Sequence, residues 1–155
     1  MSDRYLPPSA FLQETINEKV PFGQSDVGDI NLKRLIALTR DEDTANRDWA
    51  TLLLAQLEMD RPVVREALLR SASDENAYVR GEAILGLAQL DRLVALPLLQ
   101  KELQGENVTV QLLEAAAIVA DNSLIPDLEA FADPSDDPWI DSLVTDAIAA
   151  CQSDV

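Results

Sequence analysis

A chain of 155 residues that is 47% hydrophobic, with eight Pro and five Gly, has the size and apolar content of one folded domain. Its formal charge is −16, from 28 acids against 12 Lys and Arg, and it contains no His and a single Cys. Lack of His removes the commonest general base and metal ligand, one thiol excludes an intrachain disulfide or a cysteine metal cluster, and no apolar run reaches the ~18 residues of a membrane span.

The amino terminus (MSDRYLPPSAF) lacks the basic-then-apolar plan of a signal peptide, so a soluble, cytoplasmic protein is the expectation. Ser9 is placed to cap a helix over AFLQETINEKV (10–20), which puts Phe11, Leu12, Ile16 and Val20 on one face. The stretch VPFGQSDVGD (20–29) then reads as a loop. Next come alternating helical patterns. INLKRLIALTR (30–40), RPVVREALLRSA (61–72), LVALPLLQKELQ (93–104) and SLIPDLEAFA (123–132) each carry apolar residues at three- and four-residue steps. Between them, Asp43, Asn76, Asn107 and Asp137 are side chains able to accept first-turn N–H groups, and Pro138 occupies a first helical position, where a missing N–H costs nothing. These caps are spaced 33, 31 and 30 residues apart.

The period shows directly in the residues. Leu54-Ala55-Gln56-Leu57 returns as Leu87-Ala88-Gln89-Leu90, and Arg47–Leu57 aligns with Arg80–Leu90 at a shift of 33. A two-helix unit has one mutual contact and leaves its other faces wet, so stacking must supply the core. The expected architecture is an all-α solenoid of about four helical hairpins (about 29–59, 60–90, 91–120 and 121–151) behind an N-terminal cap segment (1–28), with a short tail at 152–155. Leu54, Leu57, Leu87 and Leu90 are expected to face the stack and Gln56 and Gln89 to look outward; Cys151, near the end of an apolar pattern, reads as a small buried side chain. A partner-binding arm is the alternative role for residues 1–28.

Val79-Arg80-Gly81-Glu82-Ala83 with Leu87, followed by Ala95-Leu96-Pro97-Leu98-Leu99, resembles the short HEAT repeat of the phycobilisome-lyase type. Leu124-Ile125-Pro126-Asp127-Leu128 repeats the proline signature. The resemblance runs over roughly 29–151 and implies a right-handed solenoid that binds proteins on the concave surface lined by the second helix of each repeat. In the third and fourth repeats the arginine place is read as Gln111 and Asp141, which leaves Arg47 and Arg80 as members of an arginine ladder.

With Val79, Ala83, Leu87 and Leu90 as the buried stripe, Tyr78, Glu82, Leu85 and Gln89 face away from it. A shift of 33 gives Ala45, Trp49, Leu52 and Gln56, and a shift of 61 gives Trp139, Leu143 and Asp146. With Asp48 added, the candidate partner-binding residues are Asp48, Trp49, Leu52, Tyr78, Glu82, Leu85, Gln89, Trp139 and Asp146. Aromatic side chains beside carboxylates are typical interface anchors. The competing reading is packing, with Trp49 over a repeat junction or the N-terminal cap and Trp139 folded back on the preceding helix. The acidic loops at 41–44, 73–76 and 134–138 suit helix capping, and no stretch has the ligand order of an EF-hand. Carboxylates about thirty residues apart supply no sign of an acid/base pair, so no catalytic residue, cofactor or metal is expected.

From Glu102 to Val155 there are twelve acids and no Lys or Arg. Such a surface repels nucleic-acid phosphates and anionic lipid and attracts basic protein surfaces; the plainer reading is solubility in a salt-rich cytoplasm. The leading expectation is an adaptor or scaffold for a protein with a basic surface, without direct nucleic-acid or membrane binding. Two others stand beside it: bilin (tetrapyrrole) handling, which the resemblance implies, and mimicry of nucleic acid to occupy a DNA-binding protein.

Overall fold

The computed structural model describes residues 5–153, and among these every regular element is helical. The helices are α1 (Ala10–Ile16), α2 (Asp26–Leu38), α3 (Thr44–Gln56), α4 (Pro62–Ser71), α5 (Ala77–Leu90), α6 (Arg92–Leu103), α7 (Val110–Val119), α8 (Ile125–Glu129) and α9 (Pro138–Gln152). A single 3-10 turn, Asn122–Leu124, leads into α8. The chain is thus an α-solenoid of antiparallel hairpins in two layers. Helices α3, α5, α7 and α9 form one layer and lie against one another in the most extensive contacts of the fold, whereas α2, α4, α6 and α8 scarcely meet among themselves. The closely packed layer of α3, α5, α7 and α9 corresponds to the inner layer of a helical-hairpin solenoid, and α2, α4, α6 and α8 to the outer one.

The core is a continuous ribbon of small and branched side chains. Leu54, Leu68, Ile84, Leu87, Leu99, Leu112, Leu124 and Leu128 are fully buried, with Ala50, Ala83, Ala116 and Ala147 between them. The repeated tetrapeptide falls as read for its first leucines and its glutamines: Leu54 and Leu87 are buried and Gln56 and Gln89 exposed, while Leu57 and Leu90 are only half-buried at the edge. Cys151 is fully buried.

Helix α1 closes the first end of the stack. Phe11 and Leu12 are buried, Arg34 of α2 lies 4.1 Å over the Phe11 ring, and the Ser9 amide donates to Asn46 Oδ1 of α3 at 3.0 Å. Ser9 caps α1 through Leu12 N, but the helix stops at Ile16 and not at Val20. The chain turns there through Glu18 in the left-handed region (φ 60). The expected loop is also shorter: Ser25 accepts from Gly28 N and starts α2 at Asp26, inside the stretch read as loop.

Three of the inner helices, α3, α5 and α9, begin in the same two-step way. A side chain two residues before the cap binds the cap's own amide (Asp43 N to Asp41, Asn76 N to Asp74, Asp137 N to Ser135), and Asp43, Asn76 and Asp137 then accept from the first turn. The third repeat corrects the sequence reading. Its helix starts at Val110 with Thr109 as the cap residue, so Asn107 holds the place of Asp74 and not of Asn76. The register of α7 therefore follows α5 at 33, as α5 follows α3.

Close approach of α3 and α5 depends on Gly86, where an added Cβ would lie 2.7 Å from Ala55 Cβ and 3.2 Å from Ala55 Cα and from Leu68 Cδ1. Gly86→Ala is expected to force the two helices apart and cost about 1–3 kcal/mol by overpacking. Thermal unfolding would register this as a fall of several degrees; an unchanged melting temperature would mean that the α3–α5 contact is looser than described.

Candidate functional site

The inner helices present one acidic line. Asp48 on α3 is half-buried and Glu82 on α5 only 5% exposed, with Glu114 half-buried on α7. At the true shift of 33, Asp48, Gly81 and Glu114 hold equivalent positions, and Glu82 adjoins the middle one. Gln111 Nε2 donates to Glu82 Oε1 at 2.8 Å, while Glu82 Oε2 is buried without a hydrogen-bond partner. Burial, then the negative field of Asp48, pushes the Glu82 carboxyl up to about 7, with Glu114 adding to the rise and the Gln111 bond opposing it. Desolvation also raises Asp48, against the hydrogen bond that Tyr5 supplies.

Five of the arginines are paired elsewhere. Arg47 pairs with Asp74 and Glu75, Arg61 with Asp29, Arg65 with Asp60 and Asp91, Arg70 with Glu66, and Arg80 with Glu102. Among the described residues no Lys or Arg forms an ion pair with Asp48, Glu82 or Glu114. Arg47 and Arg80 do repeat a common role. Each donates from Nη1 to two carbonyls of the loop before its own helix (Asp41 and Glu42; Asp74 and Glu75). Arg47 then reaches Asp74 in the next loop; Arg80 finds Asn107 at that place and pairs with Glu102. Leu113 is the third-repeat counterpart of Arg80, so the ladder ends there.

Aromatic residues frame the N-terminal half of the line. Trp49 is half-buried, donates its indole N–H to the Tyr5 carbonyl at 3.1 Å and stacks on the Tyr5 ring with centroids 6.3 Å apart. Trp49 thus packs against the N-terminal segment. Tyr78, at 61% exposure, and Trp139, at 58%, remain open to solvent. Tyr78 stands between two notches. One, of about 370 Å³, is lined by Tyr5, Thr44, Asp48, Asn76 and Tyr78; the other, of about 350 Å³, includes Tyr78, Asn107, Thr109, Leu113 and Ile140.

Of the residues read from the sequence, Asp48, Trp49, Tyr78 and Glu82 come together on adjacent inner helices, with Glu82 buried rather than on an open face. Leu52 and Leu85 are half-buried, Leu85 packing against the core, Gln89 is exposed at the far end of α5, and Trp139 and Asp146 lie exposed on α9, outside the Asp48 notch. Tyr5, Gln111 in its bond to Glu82, and Glu114 belong to the site and were not read from the sequence. Placing the third cap at Thr109 would have aligned Glu114 with Asp48; Tyr5 precedes the repeats and carries no periodic signal.

A stack of helical hairpins with a side-chain-lined inner face is an α-solenoid of the protein-interaction class. Residues 32–120 match the family described as HEAT repeats, and the chain belongs to that family. It is 29% identical over 140 residues to Protein YibA of Escherichia coli strain K12 and, equally, to that of Escherichia coli O157:H7. Those alignments cover 90% of this chain and 45% of each relative, so the chain spans about half the length of the curated relatives it matches. A crystal structure of Escherichia coli YibA superposes with a TM-score of 0.64 at 24% identity, covering 93% of this chain and 55% of that one, and shares the fold. HEAT repeats generally mediate protein–protein interaction. Among the described residues no helix is long and apolar enough to cross a membrane.

Proposed function

We propose that this protein is an adaptor or scaffold whose inner, acidic face holds a basic segment of a protein partner. One observation carries the reading: Asp48, Glu82 and Glu114 are aligned across three inner helices without a cationic partner among the described residues. Asp48 and Glu114 flank the buried Glu82 carboxyl, and their repulsion and lost hydration are a cost that folding offsets elsewhere and that a bound cation would reduce. Nucleic acid and anionic lipid carry the wrong sign for this face. Bilin attachment through a thiol is disfavoured, because Cys151 is fully buried and burial pushes its thiol pKa up.

The test is a titration with a 15-residue poly-lysine peptide at low and at 0.3 M salt. Asp48→Asn with Glu114→Gln is expected to weaken binding about tenfold at low salt, as two lost pairings of ~0.7 kcal/mol each would do. Glu66→Gln with Glu129→Gln, an equal charge change on the outer helices, should leave affinity nearly unchanged. Equal losses in the two double variants would show that net charge alone attracts the peptide and that the inner face has no special part.

A further inference from the structure

The notch beside Asp48 has walls of a kind the rest of the acidic line lacks. Tyr5 reaches it from the N-terminal segment and Tyr78 from the next repeat, with Thr44 and Asn76 at its edges and the Asp48 carboxylate within it. Asp48 shares the notch with Tyr5 and has no cationic partner among the described residues. Tyr5 is held in place, since its ring stacks on Trp49 and its carbonyl accepts the Trp49 indole N–H. The polar groups at the edges are already engaged: Asn76 Oδ1 accepts from Tyr78 N and Val79 N, and Thr44 Oγ1 accepts weakly from Arg47 at 3.5 Å. What the notch still offers is one carboxylate and two ring surfaces.

A carboxylate lined by two tyrosine side chains matches a flat cation with several N–H groups. A guanidinium is planar, weakly hydrated and carries five donors, so it can lie against a ring while forking onto a carboxylate. An ammonium is compact and strongly hydrated, and gains less from an open aromatic wall. We propose that the Tyr5–Asp48–Tyr78 notch is a receptor for a single arginine side chain of the partner, its guanidinium paired with Asp48 and lying against the tyrosine rings. This rests on the reading of the inner face as the binding surface for a basic segment, and adds that arginine, not lysine, anchors that segment.

Hexa-arginine and hexa-lysine peptides carry the same charge and separate the two claims. Isothermal titration of the full chain is expected to show hexa-arginine binding about fivefold tighter than hexa-lysine, the scale of one exposed cation–π contact. Tyr78→Leu keeps apolar bulk at a solvent-exposed position and removes the ring; it should bring the two peptides to within about twofold, with an unchanged melting curve. Should both peptides bind wild type with the same affinity, or should Tyr78→Leu leave the arginine preference intact, the notch proposal fails while the basic-segment reading stands. If neither peptide binds at low salt, both fail together.

Discussion

Replacing Arg47 with alanine is expected to lower the melting temperature by about 6–12 °C, the largest effect of any single polar substitution in the chain. Arg47 is 9% exposed, and its guanidinium closes the loop before α3 through the Asp41 and Glu42 carbonyls at 3.1 and 3.2 Å. Its Nε also donates to Asp74 Oδ2 at 3.0 Å in the loop before α5. The loss would leave a largely buried Asp74 without its cation and two carbonyls without donors. Removing one partner of a buried ion pair costs about 3 kcal/mol or more, and in a chain of this length each kcal/mol moves the midpoint by about 2–4 °C. Arg61→Ala is the matched comparison. Its pairing with Asp29 is exposed on both sides, 43% and 48%, and surface pairs contribute about 0–1 kcal/mol. Thermal denaturation of the two variants side by side decides the matter: equal shifts would show that Arg47 does not staple the first two repeats. Asp74→Asn should lose part of the same energy, and the double variant should lose less than the sum, because the two side chains share one interaction.

That staple also explains what the sequence could and could not convey. N-capping is local, so Asp43, Asn76 and Asp137 were readable from their neighbours, and the 33-residue shift between the first two repeats was readable from matching residues. Asn107 misled because each loop carries two capping-type side chains two residues apart, and in the third loop the first of them is the better cap. Tertiary packing overrides that local preference. A cap contributes about 1 kcal/mol, whereas starting α7 at Val110 buries Leu112, Leu113, Ala115 and Ala116 against α5, where each leucine alone contributes about 1.5–3 kcal/mol. Arg47 could be read as part of a ladder, but its acid lies 27 residues on, a distance no helical period reveals. Glu82 failed for a related reason. Helical phase sets it one turn from Tyr78, yet α5 is an interior helix with buried residues around its whole circumference, from Val79 and Gly81 to Leu87 and Ala88. The packing of α7 alongside, with Thr109 so near Gly81 that a Cβ there would meet its Oγ1 at 2.5 Å, closes the face that helical phase alone leaves open.

The burial of Glu82 gives the second large effect, which has the opposite sign to the first. Its carboxyl is pushed up to about 7 from an ordinary 4.5 by burial and by Asp48, with Glu114 as a smaller contributor. Between those two values the folded chain holds a proton that the unfolded chain has released. Folded stability from this group is therefore fully present below about pH 4.5, declines as pH rises, and is gone above about pH 7. At about 1.4 kcal/mol per pH unit the difference is about 3.5 kcal/mol, and solvent reaching the inner face reduces it to about 2 kcal/mol. Glu82→Gln keeps an oxygen to accept from Gln111 and cannot ionise, so it should melt about 4–8 °C above wild type at pH 8. At pH 5 the gap should shrink to about a quarter, since only about half a pH unit then separates the solution from the unfolded value of 4.5 and little of the difference has built up. The diagnostic quantity is the change of the gap with pH, because any fixed cost of the glutamine amide is the same at both values. Melting temperatures that run parallel from pH 5 to pH 8 would mean that Glu82 folds as an ordinary ionised carboxylate. An inner face carrying that extra charge at every pH would still attract cations, but burial, with Asp48 and Glu114 beside it, would then not suffice to keep a proton on Glu82.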